Sequence, residues 1–334
     1  MLKISKDKIP QLLTAWAEGA SVYVPQEVDG ISTFRVWQST GESKLGQGNA
    51  VVPPKDLFFP RTEEMYRYQV QGPSADLQEL PMPEGQQVVV GLRSCDARSL
   101  RLMDEVFLTK GYVDEFYRQR RENTLTVALA CREAQDTCFC TSFGIDPGKA
   151  EGVDVQAWEV EDGFLLEAVT EKGRGLLEKA RNLLVEVPDE PPPAARPALA
   201  VDVEGVTEKL QSMFEHPFWA ELCRKCLGCG LCTYLCPTCH CFDIQSENRG
   251  DQGFKFRCWD SCMFSEYTRM AGGHNPRPSK KERVRNRFLH KLQYFPERYG
   301  LLACVGCGRC LEFCPVHMDI TRIIRAIKEV ALDE

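Results

Sequence analysis

The chain has no run of the roughly eighteen apolar residues that a membrane span needs. Its opening, MLKISKDKIPQLL, lacks the charged–apolar–small pattern of a secretory signal, so residence in the cytoplasm is the expectation. Excess positive charge is missing too. A formal net charge of −7 argues against a nucleic-acid partner. No G-x-G-x-x-G follows a strand pattern, which leaves no fingerprint for a nicotinamide nucleotide; Gly228 and Gly230 belong to a cysteine-rich loop instead. Histidine is scarce, five in 334 residues, and no histidine has the spacing of a metal ligand. His240, His274 and His317 lie near cysteines or glycines and are candidates only for hydrogen bonding to a metal group, while His216 and His290 carry no signal. The remaining composition, 43% hydrophobic and 27% charged, is that of a globular protein long enough for two domains.

Cysteine is the exception to this scarcity. Thirteen of seventeen fall between Cys223 and Cys314, and eight of these repeat one spacing. Cys226, Cys229, Cys232 and Cys236 precede Pro237; Cys304, Cys307, Cys310 and Cys314 precede Pro315. Both runs read C-x2-C-x2-C-x3-C-P, the spacing that holds cubane 4Fe–4S clusters in bacterial-type ferredoxins. In two-cluster proteins the fourth cysteine reaches across to the other cluster. The expected sets are therefore crossed: Cys226, Cys229, Cys232 and Cys314 for one cluster, Cys304, Cys307, Cys310 and Cys236 for the other. An odd cysteine count with periodic spacing in a reducing compartment argues against a disulfide scaffold.

A proline-rich stretch from Pro188 to Pro197 divides the chain. The reading is an α+β multidomain protein: an α/β domain over 1–190, a linker over 191–202, and a mainly helical two-cluster ferredoxin domain over 203–334. In the first domain, 86–92 and 125–130 read as buried parallel strands joined by a helix that Asp96 caps. A helix is expected over 6–18, strands near 21–24 and 33–37, a hairpin over 153–169 turning at Asp162 and Gly163, and a helix over 173–184. In the second, 203–222 and 279–294 look helical. The 67 residues between Cys236 and Cys304 are too many for a compact β-hairpin ferredoxin.

Cys95 and Cys131 fall at the carboxyl ends of the two parallel strands, where open α/β sheets place their ligands. Cys138 and Cys140 follow closely. These four thiols suit a third cubane cluster, a four-cysteine zinc site, or simple packing at strand ends. Five cysteines remain. Cys239, Cys241 and Cys262, completed by Cys258 or Cys223, are candidates for a fourth site, for thiols beside the clusters, or for packing. A basic stretch runs through Arg277, Lys280, Lys281, Arg283, Arg285, Arg287 and Lys291. It reads as a solvated helix face, as an offset to cluster charge, or as a dock for an acidic partner.

The strings DLFFPRTE (56–63), GLRSCD (91–96), RRENTLTVALACRE and TCFCTSFG (120–144), CLGCGLCTYLCPTCHCFD (226–243), WDSC (259–262), AGGHNPR (271–277) and CVGCGRCLEFCPV (304–316) carry a resemblance. Together they resemble the iron–sulfur subunits of anaerobic redox complexes: sulfhydrogenase beta subunits, anaerobic sulfite reductase A subunits, and related proteins that accompany flavin oxidoreductases. The resemblance implies two ferredoxin clusters and a further cluster on Cys95, Cys131, Cys138 and Cys140. It also implies an FAD-containing partner that exchanges electrons with NADH or NADPH, and a hydrogenase, sulfite reductase or heterodisulfide-reductase-like catalytic subunit. The expected role is electron transfer without substrate chemistry. The alternative is a reductase whose N-terminal domain binds flavin or substrate beside Arg93, Asp96 and Arg132; a zinc-stabilised scaffold is a third reading.

Overall fold

Val88 and Val90 face one side of their strand and Val89 the other, and this alternation organises the first half of the chain. The computed structural model describes residues 1–39, 43–80 and 85–332. It contains strands β1 (Leu2–Ser5), β2 (Ala20–Val28), β3 (Ile31–Val36), β4 (Thr62–Gln71), β5 (Ser74–Glu79), β6 (Gln86–Leu92), β7 (Thr124–Leu129), β8 (Val155–Val160), β9 (Gly163–Ala168), β10 (Val185–Glu186), β11 (Phe242–Arg249) and β12 (Gln252–Trp259). Eight strands form one sheet in the order β10-β1-β9-β8-β7-β6-β2-β3. Its centre, β2, β6, β7 and β8, is parallel, and its edges are antiparallel.

Helices cover both faces. On one lie α1 (Ile9–Ala17), whose Leu12, Leu13 and Trp16 are buried, and α5 (Glu171–Glu178), which adds Leu176 and Leu177. The other face receives Phe58 and Phe59 from α2 (Lys55–Phe58) and the residue after it. Leu100, Met103 and Phe107 come from α3 (Ser94–Leu108), and Tyr117 from α4 (Glu115–Glu122). The hairpin of β8 and β9 places Glu161 and Asp162 in its turn, with Gly163 opening β9. The α3 helix begins two residues before Asp96. Arg93 is its N-cap, and Asp96 acts from the third position by accepting the Arg93 N–H, so the capping role is shared rather than held by Asp96 alone.

After the proline-rich stretch the chain is largely helical: α6 (Val206–Gln211), α7 (Phe218–Leu222), α8 (Leu231–Tyr234), α9 (Lys280–Leu289), α10 (Phe295–Tyr299), α11 (Arg309–Glu312) and α12 (Ile320–Glu329). Residues 203–222 split into two helices, with Pro217 as the N-cap of α7. Ser279 and Glu282 form a capping box at the start of α9. Beyond Leu289 the helix widens into a π-turn from His290 to Tyr294 before α10. Val206, Leu210, Trp219, Val284, Phe288, Leu292, Ile323, Ile324 and Ile327 form the core of this half.

The halves are joined more closely than a linker alone would join them. Strands β11 and β12 pair with β4 and β5 in a second sheet of order β11-β12-β4-β5, built from both sides of the proline-rich stretch. That stretch is irregular and pinned: the Ala195 amide donates to the Cys131 carbonyl (3.0 Å), and the Val201 amide donates to Ser142 Oγ (2.9 Å). Arg257 on β12 anchors the shared sheet. Its guanidinium is 2% exposed and donates to Glu63 Oε2 (2.6 Å) on β4, and it also pairs with Asp114, the N-cap of α4. Removing one member of a buried pair leaves the other short of compensation, at a cost of up to about 3–5 kcal/mol, a loss that the Arg120–Glu63 pair limits here. Arg257→Ala is therefore expected to lower the chemical denaturation midpoint under anaerobic conditions, whereas Arg249→Ala on exposed β11 leaves it nearly unchanged.

Candidate metal centres

Cys226, Cys229 and Cys232 converge because Gly228 and Gly230, both at positive φ, fold their loop back on itself before α8. These three sulfurs line a cavity of about 470 Å³ together with Cys314, which arrives from the second run. The crossed cysteine is thus in the same cavity as the first three. Met263, Val284, Phe288 and Met318 supply apolar walls, and Arg287 is the cation on its rim. Cys229 is exposed, so this cavity lies near the surface.

The second run folds in the same way, with Gly306 and Gly308 at positive φ. Burial pushes the Cys304 thiol up to about 11 and the Cys307 and Cys310 thiols upward as well. Cys236 lies in the same electrostatic neighbourhood as all three. Unlike them it is held low, by a hydrogen bond with Cys239 and, against burial, by the Lys291 ammonium. Lys291 Nζ donates to Cys236 Sγ (3.2 Å), to Thr238 Oγ1 (2.8 Å) and to the Ala303 carbonyl (2.8 Å).

Cys95, Cys131, Cys138 and Cys140 line one cavity of about 410 Å³ at the ends of β6 and β7. Cys95 sits in the first turn of α3, where burial and the neighbouring Asp96 charge raise its thiol well above the usual range. A helix N-terminus favours thiolate, but burial outweighs it here. Such thiols stay protonated until a metal takes the proton's place. Asn49 was not legible as a site residue. Its Nδ2 lies 3.6 Å from Cys138 Sγ and donates to the Cys307 carbonyl (3.1 Å), and Cys95 Sγ approaches its Oδ1 (3.8 Å).

Arg93 and Asp96, candidates for a flavin or substrate crevice, are buried and engaged internally. Arg93 donates to the Ala130 carbonyl (3.0 Å), and Asp96 pairs with buried Arg309 (2.8 Å). Arg132 is exposed and approaches Glu159 (4.0 Å). Cys239, Cys241 and Cys262 are brought together: Cys239 contacts Cys236, and Cys241 and Cys262 share a hydrogen bond that lowers the first thiol and raises the second. Cys258 is not part of this group; its neighbours on β11 and β12 are Asp243 and Asp260. Cys223 donates to the Ala220 carbonyl (3.2 Å) and also stands apart. Burial holds His240 and His290 neutral, at about 4 and about 3, in edge-to-face contact with each other. His290, silent in the sequence, is thus half of a buried pair, while His274 and His317 are exposed.

Among the described residues no three histidine, cysteine or carboxylate side chains close on a single metal ion. A cubane takes its four thiolates at separate iron corners, a wider grouping than tetrahedral zinc requires. Residues 225–318 match the family described as the 4Fe-4S dicluster domain. The chain is 29% identical over 338 residues to sulfhydrogenase 2 subunit beta of Pyrococcus furiosus, covering 98% of both chains. No solved structure matches the chain.

The loops of the second run and of the N-terminal cavity touch through backbone. A Cβ on Gly306 would come within 2.5 Å of the Phe139 carbonyl, and one on Gly308 within 2.5 Å of the Thr137 carbonyl. The Phe139 amide also donates to the Gly306 carbonyl (2.8 Å). Gly308→Ala is expected to force these loops apart and lower iron content, measured against protein, while Gly272→Ala, which meets nothing, leaves it intact. With its dicluster domain match and its near full-length likeness to that beta subunit, the chain is similar to these iron–sulfur subunits.

Proposed function

We propose that the chain is the electron-relay subunit of a hydrogenase-type complex. The reading rests on one observation above the rest: three cysteine sets adjoin in a row. The N-terminal cavity is lined by Gly306 and Cys307 of the second run. In turn, the second run sends Cys314 into the cavity of the first. Bound 4Fe–4S clusters would supply one-electron transfer at each station. Cys95, Cys131, Cys138 and Cys140 would hold one, Cys304, Cys307, Cys310 and Cys236 the next, and Cys226, Cys229, Cys232 and Cys314 the last.

The chain's own residues hold, insulate and tune. Phe139, Met263, Phe288 and Leu292 exclude water from the space around the sets. Arg309 carries positive charge between the N-terminal set and the second run, balanced by Asp96, with the thiols of Cys307 and Cys95 in its field. With no nicotinamide fingerprint in the chain, an FAD-containing partner would exchange electrons with NADH or NADPH, and a catalytic subunit would receive or return them. The name of the curated relative favours a hydrogenase-type catalytic partner over sulfite reductase or heterodisulfide-reductase-like ones. The engagement of Arg93 and Asp96 by other protein groups weighs against a flavin site in the N-terminal domain.

Anaerobically purified chain is expected to carry about twelve irons with matching acid-labile sulfide, and no flavin. About eight would remove the N-terminal cluster, about sixteen would add one at Cys239, Cys241 and Cys262, and zinc without iron would overturn the reading. The crossed assignment has its own check. Cys314→Ser should abolish the same spectroscopic signal as Cys226→Ser, not the one lost in Cys304→Ser.

A further inference from the structure

The basic stretch is not one solvated face. Lys280 is exposed, whereas Arg287 and Lys291 are 5% and 4% exposed. They stand four residues apart where α9 passes into its π-turn, a local widening frequent at functional sites. Burying a cation costs several kcal/mol unless an anion accompanies it. Among the described residues neither has a carboxylate partner, and sulfur takes that place. The Lys291 ammonium lies against the Cys236 sulfur instead, at 3.2 Å. At Arg287 the corresponding thiols are Cys232, Cys310, Cys239 and Cys236, and its Nε has no hydrogen-bond partner.

The two cations differ in what they reach. Arg287 lines the cavity of Cys226, Cys229, Cys232 and Cys314 and also faces Cys310 and Cys236, so it acts on both sets. Lys291 donates directly to one sulfur, Cys236, and its remaining two donors go to Thr238 and Ala303, beside Cys304. A third buried cation, Lys55, donates to the Cys239 carbonyl (3.0 Å) and covers the Trp259 ring, touching no sulfur. An N–H donor and positive charge on a cluster's thiolate favour its more negative, reduced state and raise its potential.

We propose that Lys291 is the positioning and tuning residue that raises the potential of the cluster held by Cys304, Cys307, Cys310 and Cys236 relative to its neighbour on Cys226, Cys229, Cys232 and Cys314. This rests on the dicluster reading. The middle station of the row is then the easier of these two to reduce. Arg287 faces thiols of both stations and does not single out the middle one.

The test is a redox titration of the full chain followed by EPR, with iron counted in every sample. Lys291→Met should lower the midpoint of one cluster, the one whose signal disappears in Cys310→Ser, and leave the Cys226 cluster in place. Lys291→Arg should remain near the parent, and Arg287→Lys should disturb both clusters or neither. If Lys291→Met fails to retain iron, Lys291→Gln, which keeps a donor without charge, should give a smaller downward shift of the same cluster. An unchanged midpoint at full iron content, or a shift confined to the Cys226 cluster, overturns the proposal. Absence of two dicluster signals in the unaltered chain would instead overturn the reading beneath it.

Discussion

Positive charge buried against sulfur is the constraint on which the second half of this molecule is built. Arg287, Lys291 and Arg309 are each at least nine-tenths buried, and only Arg309 has a carboxylate for company. Water would solvate any of them better than a hydrocarbon core does. Cysteine-bearing loops surround them, and these loops would carry negative charge once their thiols bind a cluster, a charge that needs a counterweight. Helix α9 supplies both needs with one element. Its Phe288 stacks on Trp219 of α7, and Val284 and Leu289 join the same core, while Arg287 and, in the π-turn beyond, Lys291 meet the cysteines.

The loops themselves are fixed by backbone contact. Gly306 and Gly308 lie against Phe139 and Thr137 so closely that no side chain fits, which brings the N-terminal set and the second run into one assembly. The shared sheet and the pinned proline-rich stretch hold the rest of the two halves in register around it. Pro197 even lines the N-terminal cavity, so the stretch that divides the sequence also closes a site. The adjacency of the cysteine sets follows from this packing rather than from any single residue.

Much of the chemistry was legible in the sequence, because cysteine spacing is a local property. A C-x2-C-x2-C-x3-C-P run states its own loop geometry, and the valine-rich runs put Cys95 and Cys131 at the carboxyl ends of β6 and β7, where the N-terminal cavity lies. The helical pattern expected over 279–294 begins where α9 does. What stayed hidden depends on pairing across long separations. Strands β4 and β5 are mostly solvent-exposed and lack an apolar alternation, so nothing local announces that β4 meets β12 almost two hundred residues later. Asn49 reaches its cysteines from an irregular loop. Arg287 and Lys291 look no different in sequence from Lys280 and Lys281, because a basic helix stretch does not declare which residues turn inward. Cys258 illustrates the opposite error: near Cys262 in sequence, it faces the carboxylates of Asp243 and Asp260 instead.

The central claim is that three cluster stations adjoin within one chain. Reduced clusters in such contact interact magnetically, so the most direct measurement is the EPR spectrum of the fully reduced protein at low temperature. The account predicts a spectrum broadened by spin–spin coupling, which simplifies when the N-terminal cluster is removed by Cys95→Ser. Separate, uncoupled signals at full iron content, or no iron–sulfur signal at all, would contradict it.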